Sequence, residues 1–256
     1  MDNHARPDVY IFDVDGTITT TNGPLTAPMA EALMALNAQS PVVLSTGRSL
    51  GGLAPVLAQA PLPGPHAVSN GAAIVTNQRT SHVFNALTPT DCNEIREYLD
   101  SRGFICVYCL ADGNLQIDHS DDRMVDILET GAWPAIIKPF ANDQPVLKIL
   151  TLCLEDEEED IRTICANTTE IHRTQYNMIE WTAPGSNKGV AFGHQIAILG
   201  LEHPVVFAIG DSENDLPLLA KATFAIAMPD AAPVVKAAAD HVLDEPLLAW
   251  VQRQVS

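Results

Sequence analysis

A run of β-prone apolar residues that ends in two closely spaced carboxylates constrains this chain more than any other stretch. Residues 9–17 read Val9-Tyr10-Ile11-Phe12-Asp13-Val14-Asp15-Gly16-Thr17. The first four predict a buried strand, and the polar residues after them predict a tight loop at its carboxyl end. In an open α/β sheet that edge is where ligands bind. Alternation along the strand points Asp13 and Asp15 the same way, so two negative charges face one pocket. Such crowding is unfavourable without a cation. Taken alone, the stretch also reads as a polar turn after a strand, and the rest of the chain has to decide.

Beyond the loop, Met29, Leu33 and Leu36 recur at helical spacing and predict a helix over Pro24–Asn37. Pro41-Val42-Val43-Leu44-Ser45-Thr46-Gly47-Arg48 follows, a second short apolar strand ending in hydroxyls, a glycine and a cation. Strand, helix, strand is the βαβ unit of a parallel sheet. A helix is expected over Leu50–Gln59, and Ala67–Val75 reads as a third strand, an Asn70-Gly71 turn and a hairpin partner. From about His82 to Thr182 the texture changes. Strand-like runs at 104–110, 114–118, 146–154 and 177–182 alternate with helical candidates at 89–101, 121–129 and 156–167, which predicts a separate α+β domain. Asp112-Gly113 marks a hairpin between the first two of those strands. The sheet texture returns where Ser186-Asn187-Lys188-Gly189 opens a helix to about Leu199. Pro204–Ile209 is another buried strand, and it runs into Gly210-Asp211-Ser212-Glu213-Asn214-Asp215. A helix over Leu216–Lys221, a strand over Phe224–Met228 and helices around 231–239 and 246–254 complete the pattern.

Length and charge narrow the function classes. A chain of 256 residues suits one large domain or two modest ones. Lys+Arg 14 against Asp+Glu 32 leaves a net charge of −18, which repels phosphate backbones and anionic lipid and weighs against nucleic-acid and membrane roles. An anionic small-molecule substrate would need a locally positive site. No apolar run approaches the roughly 20 residues of a membrane span. The start, Met1 to Pro7, carries no apolar segment behind a basic one, so the expected setting is cytoplasmic. The 5 cysteines are an odd number, which argues against a disulfide framework. Cys106 and Cys109 match Cys-x-x-Cys, yet an odd offset within a strand puts their sulfurs on opposite faces, and a structural reading is expected. The acidic run Glu155–Asp160 reads as a solvated first helical turn. Trp133, Tyr176 and Trp181 are expected as buried aromatics, and His119, His172, His194 and His203 lack the mutual spacing of a metal site.

Three strand ends thus carry polar groups: Asp13 with Asp15, Thr46, and Asp211 with Asn214 and Asp215. Lys188 joins them from a helix start. Parallel strands set all their carboxyl ends along one edge, so sequence-distant residues can meet there. Several carboxylates at one place call for a hard divalent cation, and oxygen ligands favour Mg²⁺. Thr46, Lys188 and the backbone N–H groups of the Asp15-Gly16-Thr17 loop could donate to phosphoryl oxygens.

On these pieces the sequence resembles the haloacid dehalogenase superfamily of phosphohydrolases, and within it the Cof-like branch with a type IIB cap. The matching pieces are Asp13-Val14-Asp15-Gly16-Thr17, Ser45-Thr46-Gly47-Arg48, Asn187-Lys188-Gly189 and Gly210-Asp211-Ser212-Glu213-Asn214-Asp215, in the family's order. After Met228 the family usually has Gly-Asn, whereas Pro229-Asp230 stands here. The resemblance implies a Rossmann-like, doubly wound parallel α/β core over 1–79 and 184–256, with an α+β cap inserted over 80–183. It implies an Mg²⁺-dependent phosphomonoester hydrolase with Asp13 as nucleophile, Asp15 as acid and base, and Thr46 and Lys188 holding the transferring oxygens. The metal would sit on Asp13, the backbone carbonyl of Asp15, and Asp211, with Asn214 or Asp215 in or behind the shell. Gly16 and Thr17 would bind phosphate, and Gly47, Arg48, Asn70 and Gly71 would shape the pocket rim. The expected partner is a small phosphorylated metabolite, most readily a sugar phosphate, met by cap residues among which Asp112, Asn114, His119, Asp121 and Arg123 are candidates. A phosphotransferase or mutase on the same scaffold, and a non-catalytic phosphate-binding regulator, are the alternatives. The sequence is silent on oligomeric state.

Overall fold

The computed structural model describes residues 6–21, 23–77, 79–118, 135–141, 143–153, 158–173 and 178–255. The predicted helix over 121–129, the candidates His119, Asp121 and Arg123, the aromatics Trp133 and Tyr176, and Glu155 to Glu157 of the acidic run lie outside them.

The apolar run that opens the chain forms β1 (Val9–Phe12), buried along its whole length. It is an interior strand of a parallel five-stranded sheet, with β2 (Val42–Leu44) on one side and β12 (Val206–Gly210), β13 (Phe224–Ala227) and β14 (His241–Val242) on the other. Strands buried on both faces read as continuous apolar runs, as β1, β2 and β12 do, whereas the edge strand β14 is short and half-buried. Because chain order reverses direction between β1 and β12, the carboxyl end of β1 lies at a topological switch point. Helices Ala27–Asn37 and Leu247–Val255 supply cover, with Trp250 meeting Tyr10 edge-on at 6.2 Å between ring centroids. The first helix begins at Ala27, three residues later than the sequence predicts, because Thr26 stays extended and its hydroxyl accepts the Met29 N–H.

Beside this sheet stands an antiparallel one, β3 (His66–Val68), β4 (Ala73–Thr76) and β5 (Arg79–Val83), joined to the end of β2 through a bridge between Ser45 and Ala67. The predicted Asn70-Gly71 turn is a 3₁₀ turn with Asn70 at φ +54 and Gly71 at φ +94. β5 is a strand the sequence did not signal, and it runs across residue 80, the expected border of the cap.

The inserted part is a mixed six-stranded sheet in the order β10 (Glu170–Arg173), β11 (Met178–Thr182), β9 (Val146–Leu152), β6 (Val107–Leu110), β7 (Leu115–Ile117), β8 (Ala135–Ile137). One face packs Cys106, Tyr108, Ile149, Ile179 and Trp181 against the helix Pro89–Ser101. The other carries Val107, Cys109, Leu115, Leu150 and Met178. Cys106 and Cys109 therefore lie in different clusters, both as free thiols. The hairpin tip at Gly113 touches the core: a Cβ on Gly51 would stand 2.4 Å from the Gly113 carbonyl oxygen. The helix expected over 156–167 covers only Glu158–Ile161 among the described residues, after which turns take over. The β-branched and Asn-containing stretch Thr163 to Thr169 is poor helix material, and Cys165 sits at φ +53.

Candidate active site

Strand β1 hands its last ladder bond to Asp13, whose N–H donates to the Ile209 carbonyl at 2.9 Å. The side chain that follows is buried and meets Lys188, the first residue of the helix Lys188–Leu199. Asn187 caps that helix through its side-chain oxygen on the Val190 N–H at 2.9 Å. Lys188 Nζ donates to Asp13 Oδ1 at 2.5 Å and to Asp215 Oδ1 at 2.6 Å, with the lysine only 1 % exposed. Asp215 is held from the other side, where its Oδ2 accepts the N–H groups of Asp211 at 3.0 Å and Ser212 at 3.1 Å. Two loops and one helix start thus converge on one ammonium.

Asp211 completes the group. One oxygen each from Asp13, Asp211 and Asp215 fall within 4.8 Å of one another, a cluster that could hold a metal ion. Gly16 lets the first loop close over Asp211: it sits at φ +81, and a Cβ there would lie 2.3 Å from Asp211 Oδ2. Thr17 donates its hydroxyl to Asp211 Oδ1 at 3.4 Å. Burial pushes the Asp13 carboxyl well above the ordinary carboxylate range; Asp215 adds to this and Lys188 opposes it. Burial first, and Asp215 next, push Asp211 up to about 6. Burial alone would lower Lys188, but Asp13 and Asp215 outweigh it and hold the ammonium charged. All-oxygen donors with more carboxylates than ammonium groups are the ligand chemistry of a hard divalent cation, so the residues fit one.

The Asp15 carboxylate is engaged elsewhere. Arg48 grips it with two parallel bonds, Nε to Oδ2 at 2.8 Å and Nη2 to Oδ1 at 2.6 Å, the fork geometry that fixes a carboxylate's plane. Arg48 is thus a clamp on Asp15 rather than only part of the rim. Thr46 is buried, lines the cavity, and accepts the Arg48 N–H on Oγ1 at 3.1 Å. Gly47 and Asn70 also line it. Gly71 does a different job, passing so near the Lys188 helix that a Cβ would stand 2.7 Å from Ala191 Cβ. Asn214 points to Asn70, its Nδ2 donating to Asn70 Oδ1 at 3.3 Å. Pro229 and Asp230 form an exposed turn, and the contact from that stretch comes from Ala232, whose N–H donates to the Asp211 carbonyl at 3.0 Å. Asp112 and Asn114 bond each other within the hairpin turn, at 2.8 and 2.9 Å.

Above these groups lies a cavity of about 810 Å³, roofed by Cys109, Leu115, Leu150 and Met178 of the cap sheet. Its wall holds the cations Arg48, Lys148, Arg162, Arg173 and Lys188 and the acids Asp13, Asp15, Glu170, Glu180 and Glu213. In a chain of net charge −18 this is a region of balanced charge. Lys148 and Glu180 were not singled out from the sequence. The available signal was a lone charge inside each of two strands otherwise built of apolar residues and threonine.

The fold and the acid cluster define a class, and comparison with known proteins gives it a family. The sequence profile of the haloacid dehalogenase-like hydrolases matches residues 10–246, and the chain belongs to that family. The phosphoglycolate phosphatase of Methanothermobacter thermautotrophicus is 27% identical over 234 residues, covering 90% of this chain and 89% of that one. Endoribonuclease YBEY of Arabidopsis thaliana, a chloroplastic protein, is 25% identical over 265 residues, covering 91% of this chain; the chain spans only 43% of that relative's length. Among solved structures, a haloacid dehalogenase subclass IIB sugar phosphatase superposes with a TM-score of 0.78 at 21% identity, covering 96% of this chain and 98% of that one. The parallel core with an inserted mixed-sheet cap is therefore the fold of that subclass. Among the described residues no helix is long and apolar enough to cross a membrane.

Proposed function

We propose that the chain is an Mg²⁺-dependent phosphomonoesterase that works through a phosphorylated Asp13 on a small phosphorylated metabolite, with a sugar phosphate as the best-suited class. Residues 80–183 serve as the cap in this reading, and 1–79 with 184–256 as the catalytic core. The observation that carries it is the buried Lys188 ammonium bridging Asp13 and Asp215 at the switch point, with Asp211 in reach of both. Mg²⁺ held by Asp13, Asp211 and the backbone carbonyl of Asp15 would offset the charge of the phosphoryl group. Lys188 fixes the rotation of the Asp13 carboxylate. Asp13 attacks phosphorus, a new O–P bond forms, the ester P–O bond breaks, and Asp15 gives a proton to the departing alkoxide. Water then attacks the phosphorus of the acyl phosphate, Asp15 takes the water's proton, and Asp13 is released. Arg48 sets the plane of the ionised Asp15 in the base step, and in the acid step one of its two bonds opens while that Asp15 oxygen carries the proton. Thr46 and the N–H groups of the Gly16-Thr17 loop supply donors to the phosphoryl oxygens.

The apolar roof suits the C–H face of a sugar ring and excludes water during the first transfer. Likeness in fold to a sugar phosphatase favours that class, and likeness in sequence to a phosphoglycolate phosphatase puts a small carboxylated ester on the same panel. The test is release of inorganic phosphate from an aryl phosphate, a set of sugar phosphates and phosphoglycolate, with and without Mg²⁺. Metal-dependent release is expected, with Asp13→Asn lowering kcat by about 10⁴-fold or more while the far-UV spectrum is unchanged. No metal-dependent release on the whole panel, or turnover that survives Asp13→Asn, overturns the reading. Substrate consumed without phosphate release, with the phosphoryl group recovered on an added sugar, marks a phosphotransferase instead.

A further inference from the structure

Strands β9 and β11 each carry one charged side chain among residues that are otherwise apolar or threonine. Lys148 interrupts Val146-Leu147-Lys148-Ile149-Leu150, and Glu180 interrupts Met178-Ile179-Glu180-Trp181; both are buried. In the antiparallel register Lys148 stands opposite Thr182 and Glu180 opposite Leu150, which makes the two charges diagonal neighbours on one face. They pair at 2.9 Å. A buried ion pair needs further hydrogen bonds to offset its desolvation, and here those bonds leave the cap. Lys148 Nζ donates to the Gly47 carbonyl at 3.0 Å, and Glu180 Oε1 accepts from Asn70 Nδ2 at 3.1 Å. Gly47 and Asn70 both belong to the core, and both adjoin Thr46.

The link to Thr46 runs through one peptide group. The Gly47 carbonyl that receives Lys148 shares its plane with the Arg48 N–H. That N–H donates to Thr46 Oγ1 at 3.1 Å. A cation on the carbonyl polarises the amide and strengthens its N–H as a donor. With Oγ1 accepting there, the hydroxyl's own proton is directed away from the peptide, toward the cavity that Thr46 lines. The second contact works alongside the first. Asn70, at φ +54, donates its N–H to the Thr46 carbonyl at 3.0 Å while its side chain is held by Glu180.

We propose that Lys148 and Glu180 are positioning residues: the seated cap fixes the Gly47-Arg48 peptide and Asn70, and so aims the Thr46 hydroxyl at the transferring phosphoryl group. The core's phosphoryl site is then complete only with the cap in place. This rests on the phosphatase reading above, and it makes a cap residue matter to the step that all esters share, whatever their leaving group.

The test compares Lys148→Met and the double variant Lys148→Met/Glu180→Leu with the wild type, each with and without Thr46→Val, on an aryl phosphate and on the best sugar phosphate of the panel. The double variant leaves no unpaired buried charge, so it keeps the test open if the single variant fails to fold. Expected is a fall in kcat of about 10- to 100-fold by the same factor on both esters, with KM within about threefold. Thr46→Val should then cost far less in either cap variant than in the wild type, because the hydroxyl is already misaimed. Three results overturn the proposal: Thr46→Val costing the same in all backgrounds, a loss confined to the KM of the sugar ester, or a lower Tm with kcat unchanged. If the wild type itself releases no phosphate, the phosphatase reading falls and takes this one with it, and that control separates the two failures.

Discussion

His66 shows how one buried side chain ties the sheet edge together and sets a pH limit on the fold. Its Nδ1 accepts the Leu44 N–H at 3.0 Å, so the ring proton sits on Nε2, which faces the Leu62 carbonyl at 3.0 Å. A second proton on Nδ1 would have to displace the Leu44 bond. Burial lowers the imidazole to about 4 from an ordinary 6.5, with the Leu62 carbonyl acting in the opposite direction. Between those values the unfolded chain binds a proton that the folded chain refuses. Stability from this residue is therefore complete above pH 6.5 and is lost as pH falls toward 4, by about 1.4 kcal/mol per unit and about 3 kcal/mol in all. Urea unfolding of wild type and His66→Gln at several pH values between 7 and 4 should show a shallower pH slope in the variant. Equal slopes would assign the titration to another group. Within the site, residues in motifs were legible because their spacing at strand ends says what they face. Arg48 was legible as a cation at the rim but not as the clamp on Asp15, since the pairing depends on how two loops from different strands meet. Lys148 and Glu180 escaped because strand alternation does not say which face of a cap meets the core.

At the scale of elements, the helix Lys188–Leu199 decides whether the ammonium reaches the acids. Helical side chains lean toward the N-terminus, so a lysine at the first position projects off the helix end toward β1. The next residue sets how close that end can come. A Cβ on Gly189 would stand 2.5 Å from the Pro217 carbonyl oxygen and 2.9 Å from its carbonyl carbon, and that backbone has no free rotation with which to yield. Gly189→Ala should push the helix start outward, at an overpacking cost of about 1–3 kcal/mol set against up to about 1 kcal/mol gained from helix propensity. The expected outcome is a kcat loss of about tenfold or more with a small fall in Tm, since a shift of an ångström at Lys188 misplaces the ammonium. Wild-type kcat in the variant would mean the helix start is not sterically set by Pro217. The elements that the sequence located well have strong signals of their own: the helix Pro89–Ser101 begins at a Thr88 cap and carries Cys92, Ile95 and Leu99 at helical spacing. Strands β5, β8, β10 and β14 were missed. β14 is only two residues long, and in Glu170-Ile171-His172-Arg173 the residues alone do not ask for a strand; the ladder to β11 makes it one.

Over the whole molecule, charge governs how a phosphorylated ligand arrives. Among the described residues the cavity wall carries five lysines and arginines and five acids, against 14 and 32 in the chain, so the cations are concentrated there relative to the acids. The wall is balanced at close range, while at a distance a ligand meets the field of net charge −18. These two ranges respond differently to salt. The Debye length shrinks from about 30 Å at 10 mM to about 8 Å at 150 mM, which screens the outer repulsion and leaves contacts inside a roofed cavity nearly intact. Raising NaCl across that span at saturating Mg²⁺ should therefore raise kcat/KM for a dianionic sugar phosphate by about two- to fivefold, with kcat constant. A neutral surface would give no change. A fall in kcat/KM would mean that the wall cations reach beyond the cavity mouth and dominate the approach, and Arg162 and Arg173 would then be the residues whose neutralisation removes the salt dependence.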